Sequence, residues 1–147
     1  MWLGLGSVSI PHGRDREIVF ENLDLSHMDF SHANLSGSDL RSVRFYKTNL
    51  HGANLAGANL SGSSLTGANM TGTSLAGVDL SRANLAGVDL GGKDLKGTTL
   101  IQANLSGANL SGVDLSYEDL TGVNLSDANL SGANLAGANL SGSSLTG

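Results

Sequence analysis

The pattern of this chain is that of an all-β solenoid. From Phe20 to Leu145 every position divisible by five holds a large apolar residue; 22 of those 26 are Leu, and the others are Phe20, Phe30, Phe45 and Met70. Two residues before most of these centres stands a small or β-branched residue, as in Ala53, Val78, Ala83, Val88 and Val113. Two residues after it comes Gly, in 17 of the 23 repeats from Gly37 to Gly147. A unit this short cannot bury its apolar side alone, so it must stack on its neighbours.

Each part of the five-residue unit has a physical reading. A helix is excluded, because a step of five residues turns about 140° and would scatter the Leu residues around every side. A plain strand fails as well, since its faces alternate with period two. Residues two apart on a short strand do point the same way, so the small residue and the centre form an inward pair. The residue just before the centre is Asn or Asp in 20 of 25 repeats from Asp24 to Ser144, types that favour turns through local side-chain bonds. Gly beyond the centre tolerates the positive φ that a type II turn demands. The unit therefore reads as an inward pair followed by a polar corner. Successive corners wind the chain into coils whose backbones pair about 4.8 Å apart.

Runs such as Ala53-Asn54-Leu55-Ala56-Gly57-Ala58-Asn59-Leu60-Ser61-Gly62 resemble the pentapeptide repeat family, with its pattern A(D/N)LXX, and the resemblance extends over residues 20–147. It implies a right-handed quadrilateral parallel β-helix with about four pentapeptides per coil; the number and the hand come from the family. On that geometry residues 20 apart stack, which sets Glu21 under Arg41 and Asp24 under Arg44, opposite charges as cross-strand neighbours prefer. The stretch Ala53 to Gly67 recurs letter for letter as Ala133 to Gly147, an offset of 80, a whole number of such coils.

Residues 1–19 fall outside the repeat and are expected to form an N-terminal cap or irregular segment, folding Trp2, Leu3, Leu5 and Ile10 over Phe20 and Leu25. Leu23 and Met28, large residues at the small position, predict a wider first coil. The pattern continues intact to Gly147, so a homo-oligomer through an uncapped C-terminal end is expected.

Composition narrows the function. With 8 Lys plus Arg against 13 Asp plus Glu, a formal net charge of -5 at pH 7, the chain lacks the basic stripe that direct nucleic-acid binding needs. The absence of Cys excludes disulfides, thiolate metal sites and cysteine nucleophiles. The first ten residues lack the basic start and apolar run of a signal peptide, and nothing approaches the roughly 20 apolar residues of a membrane helix. A cytoplasmic protein without membrane attachment is the default expectation. No nucleophile–base–orienter set, phosphate-cradling Gly loop or carboxylate pair facing a pocket is visible, so neither enzyme activity nor a cofactor is expected.

In so regular a scaffold the departures are the candidate sites. Arg41, Arg44, Tyr46 and Lys47 form a positive patch with an aromatic, a possible partner-binding patch for an anionic partner; the alternative is that the two arginines only neutralise Glu21 and Asp24. Lys93 and Glu118 are irregular core charges at the inward position, where a charge costs several kcal/mol unless paired or able to reach water. Either they mark a perturbed pair of the kind found at sites, or they bridge each other or escape outward. His32 and His51 fall together near Asp29, but zinc wants three or four convergent ligands, so His12, His27, His32 and His51 read as surface and no metal is expected. Arg82, Gln102 and Tyr117 stand where Gly is usual, which suggests corners that do not need Gly, while Asp127 follows the Asn and Asp turn preference.

The functional expectation is a non-enzymatic structural or protein-interaction scaffold, docking a protein partner on its walls. A DNA-mimicking modulator of a type II topoisomerase such as gyrase is the alternative the resemblance brings in, with Asp94 and Asp114 on one face and Asp79 and Asp119 on the next. A self-assembling or engineered β-solenoid is the third.

Overall fold

The computed structural model describes residues 20–147. The expected cap, residues 1–19, lies outside them. The chain winds as a parallel β-helical solenoid in which isolated parallel bridges join residues 20 apart, from Asp24↔Arg44 to Asn124↔Ser144. With a five-residue repeat, that offset sorts the centres into four stacks. Each stack is named here as a wall after its first member: the Phe20, Leu25, Phe30 and Leu35 walls.

One repeat shows why the pattern is obligatory. Leu50 and Ala53 close a four-residue turn, the Ala53 N–H donating to the Leu50 carbonyl at 2.9 Å, with Gly52 at a φ of 64°. The N–H of Asn54 donates to Ala33 of the preceding circuit at 2.9 Å, and those of Leu55 and Gly57 donate to Ser74 and Ala76 of the next at 3.1 and 2.9 Å. The fifth donor, Ala56 N–H, has no backbone partner and donates to Asn54 Oδ1 at 3.0 Å. Where Asn or Asp precedes the centre, it is therefore the acceptor that completes the repeat's hydrogen bonding, as buried or half-buried backbone requires. The same bond recurs from Ser26 to Asp24 up to Ser141 to Asn139.

The inward pairs fill the interior. Leu50, Leu55, Leu60, Leu65, Leu80 and Leu85 are wholly buried, with Ala83 and Val78 packed beside them. Three inward positions hold Thr, and each hides its hydroxyl in the same way. Thr48, Thr73 and Thr98 donate to the carbonyls of Leu25, Leu50 and Leu75 at 2.8, 2.8 and 3.0 Å, so a polar atom sits in the core at little cost. Leu23 and Met28 correct one expectation. They do not pack a wider first coil but stand 46% and 39% exposed.

The corners keep one backbone conformation throughout. Arg82, Gln102 and Tyr117 hold φ values of 60°, 60° and 62°, and Asp127 holds 57°, within the range of the neighbouring glycines. The corner imposes the left-handed backbone whatever residue occupies it. Tyr117 is 84% exposed, so it gains little burial in return for a conformation that costs an L-residue about 1 kcal/mol or more. Tyr117→Gly is expected to raise stability by up to about 1 kcal/mol, the gain limited by the extra freedom Gly has when unfolded. An unchanged or lowered melting temperature would contradict that reading.

The outward amides add a ladder along the axis. Asn69 Nδ2 donates to Asn49 Oδ1 at 3.1 Å, and Asn49 Nδ2 to Asp29 Oδ1 at 3.0 Å. Asn124, Asn104 and Asn84 repeat the arrangement at 3.2 Å per step. Every such amide donates toward the preceding circuit. A carboxylate has no N–H to give, and the bridges register the difference. Among the described residues four steps lack a parallel bridge, those placing Asp89 over Asn69, Asp94 over Ser74, Asp114 over Asp94 and Asp119 over Thr99. All four have Asp as the upper member, while every step with Asn above is bridged. Asp79 keeps its bridge to Asn59, so the carboxylate weakens a step without forbidding it. Asn104→Asp is accordingly expected to open the Asn84 step. Hydrogen exchange would detect it as faster loss of the Asn104 and Leu85 amides, which bond Ala83 and Asn104 across that step; unchanged protection would refute the rule.

Candidate functional site

The outer surface separates its charges by wall. On the Leu25 wall the residues before the centres are Asp24, Arg44, Ser64, Asn84, Asn104, Asn124 and Ser144, and each step between them is bridged. It is the one wall among the described residues without an interrupted step. The other three walls carry most of the acids: Asp39, Asp79 and Asp119 on the Phe20 wall, Asp29 and Asp89 on the Phe30 wall, and Asp94 and Asp114 on the Leu35 wall. Ser116 and Thr121, through their hydroxyls first and their N–H groups second, hold the carboxyls of Asp114 and Asp119 below the usual carboxylate range.

The four residues expected to form a patch lie together in one circuit of the Leu25 wall, but they do not behave alike. Arg41, on the edge shared with the Phe20 wall, is held by Asp39 through Nε to Oδ1 at 2.8 Å and Nη2 to Oδ2 at 2.6 Å, with Glu21 at 3.7 Å. The Glu21 contact was legible from the 20-residue spacing; the tighter Asp39 pair, two residues away along the chain, was not. Those bonds hold the Asp39 carboxyl below its ordinary range. Arg44 stands in the middle of the wall, 3.5 Å from Asp24, with both side chains more than half exposed, a pair of small energetic weight. On the far edge Lys47 Nζ lies 5.1 Å from the centre of the Tyr46 ring, and the His27 ring meets Tyr46 edge-on at 5.5 Å. Cation, aromatic and imidazole thus hold one another in a defined arrangement.

Arg82, two circuits above Arg41 on the same edge, was singled out only as a corner without Gly. Its Nε donates to Gln102 Oε1 at 3.0 Å. Among the described residues the ion pairs involve Arg41 and Arg44, which leaves the Arg82 charge without an acid partner there. Between Arg41 and Arg82 the short residues Ser61, Gly62 and Ser81 leave a shallow open depression of about 570 Å³, which the carboxylates of Glu21 and Asp79 also line.

A sequence model of the family described as pentapeptide repeats matches residues 18–55, 44–82, 79–116 and 119–147, with eight copies. This chain is a pentapeptide repeat protein. No curated protein matches it closely enough to count as a relative. Among solved structures it is similar to a pentapeptide repeat protein of the Arabidopsis thaliana thylakoid lumen, at 27% identity, covering 89% of this chain and 72% of that one with a TM-score of 0.46. HetL, a pentapeptide repeat protein involved in heterocyst differentiation regulation in the cyanobacterium Nostoc sp. strain PCC 7120, is 25% identical over 88% of this chain and 90% of its own, with a TM-score of 0.31. QnrB1, a plasmid-mediated fluoroquinolone resistance protein, is 22% identical over 89% and 86%, with a TM-score of 0.39.

The remaining departures of this pentapeptide repeat protein resolve singly. Lys93 does not bridge Glu118. Its Nζ turns to the Thr73 carbonyl at 3.5 Å, a weak contact, beside the interrupted steps below and above Asp94. Burial pushes the Lys93 amine below the ordinary lysine range, with Asp89 opposing. His32 and His51 do stack, ring centres 5.1 Å apart and edge to face. Among the described residues no group of three or more His, Asp or Glu side chains is placed to hold a metal ion. No helix there is long and apolar enough to cross a membrane.

Proposed function

We propose that this pentapeptide repeat protein is a non-enzymatic interaction scaffold, a right-handed, four-sided β-helix with four pentapeptides per turn whose flat walls dock another protein. The 20-residue offset of the bridges supports the four-sided turn, and the repeat pattern supports the hand through the family it belongs to. The observation that carries the functional reading is the filled interior. Leu side chains occupy the axis from Leu35 to Leu125, each no more than 2% exposed, so recognition falls to the outside, where a stiff bridged wall offers side chains at fixed spacing. Such preorganisation reduces the ordering cost of binding.

The test is affinity capture from an extract of the source cells, with the folded protein compared against Leu85→Asp, followed by purification of whatever is retained. A protein that binds the folded rod directly and stoichiometrically, and is lost with the core variant, is the expected result. A folded rod that retains no protein, or that turns over a small molecule, would overturn it.

A further inference from the structure

Two features single out the Leu25 wall. Its bridges run unbroken from Asp24 to Ser144, while each of the other walls is interrupted under an Asp. It also gathers the cations of an acidic chain: Arg41, Arg44, Lys47 and Arg82, four of the six Lys and Arg among the described residues, lie on it or on its two edges. From Arg41 up to Ser126 the wall and its edges carry no Asp or Glu. Both features have one cause. Above Asp24 the stack holds no Asp, so no step has a carboxylate as its upper member and that stretch of the wall lacks its negative charge.

The cations are arranged rather than scattered. Arg41 is neutralised by Asp39 and serves as one flank of the depression. Arg82 is oriented by the neutral amide of Gln102 and keeps its charge. Arg82 and Gln102 both hold the left-handed backbone in place of Gly, at φ 60° each, as Ser42 and Lys47 do at other corners of this wall. At the other edge Tyr46, 38% exposed, carries Lys47 against its face. Tyr and Arg are the side chains that most often dominate protein interfaces.

We propose that the Leu25 wall is the docking surface for an acidic segment of a partner protein, with Arg44, Lys47 and Arg82 receiving its carboxylates and Tyr46 its apolar contact. This rests on the scaffold reading and names the wall and the chemistry of its partner. Charge complementarity favours an acidic protein segment: the other three walls would repel it. The cations are too few and too widely set to track a phosphate backbone, which needs a stripe of them.

The experiment is fluorescence anisotropy with a labelled oligo-glutamate peptide at low salt and the full chain. Arg44→Gln and Arg82→Gln are each expected to weaken binding about threefold to fivefold. Lys96→Gln, which removes the same charge from the edge between the Leu35 and Phe20 walls, should leave it unchanged. Gln already occupies the equivalent strained corner at position 102, and unchanged melting curves will verify folding. Equal losses in all three variants, no binding by the folded wild type, or tighter binding of a single-stranded oligonucleotide would each overturn the proposal. If a captured cellular partner binds Arg44→Gln and Arg82→Gln as well as wild type, the wall assignment fails while the scaffold reading stands. If the folded rod captures no partner at all, it is the scaffold reading that fails.

Discussion

Leu85→Asp is expected to destroy the middle of the rod. Leu85 is wholly buried, with the equally buried Leu65 and Leu105 one circuit below and above it. Its own N–H is committed to Asn104 at 2.8 Å, and its carbonyl to the Val88 N–H at 3.0 Å. A carboxylate placed there meets apolar side chains and has no donor to accept from. The expected loss is at least about 4 kcal/mol, the range reserved for unpaired buried charge. Each circuit of a solenoid is stabilised only by its neighbours, so the damage reaches both interfaces of that circuit. Ser81→Asp, four residues away but outward, should change stability by no more than about 0.5 kcal/mol. Thermal melts followed by circular dichroism separate the two, and equal losses would contradict the inward and outward assignment.

Lys93→Val is expected to act in the opposite direction. The position lies directly above Thr73 and below Val113 in the Leu35 wall, and Val is the residue this chain itself places at the equivalent site one circuit on. As Lys, the side chain brings an ammonium into the wall, where its one hydrogen-bond partner is a carbonyl at 3.5 Å. Replacing a poorly satisfied, half-buried charge by a packed apolar side chain stabilises by up to about 1 kcal/mol, since the ammonium still reaches water. The pH dependence identifies the cause. Because the folded pKa of Lys93 is depressed below its ordinary 10.5, the unfolded chain binds the extra proton between the two values. The penalty is therefore fully present below the folded pKa and is relieved as pH rises through it toward 10.5. Wild type should gain stability across that alkaline window, and Lys93→Val should lose that component of the rise. A variant no more stable than wild type, with the alkaline rise intact, would exonerate Lys93.

How much of this was legible in the residues depends on whether the property is periodic. The inward Leu series and the turn at Gly follow from the period, the stacking of Glu21 under Arg41 from the four repeats per coil that the family resemblance implies, and the structure has all three. The acceptor role of Asn54 was legible only as a turn preference, because the orphaned Ala56 N–H becomes apparent once the other four donors are assigned. That the corners at Arg82, Gln102 and Tyr117 do not need Gly was legible; that they keep a positive φ was not. A non-Gly residue normally argues against that backbone, but here stacked corners on both sides impose it. Lys93 could be placed at the inward position and not followed further, since its direction depends on the opening of the steps around Asp94. The Leu25 wall was half visible: Arg44, Tyr46 and Lys47 stood out in one stretch, whereas Arg82 joins them only through the 20-residue offset.

That offset also governs how such a protein can change in length. The wall a side chain occupies is fixed by its number modulo 20. Deleting a single pentapeptide between Arg44 and Arg82 would preserve every inward Leu, yet it would rotate Arg82 off the Leu25 wall together with everything downstream. Gain or loss of whole circuits alone leaves the surface in register. The duplicated block Ala53 to Gly67 and Ala133 to Gly147, separated by 80 residues, obeys that restriction, so both copies face the same way. Growth of the gene by single repeats is silent for the core and scrambling for the surface.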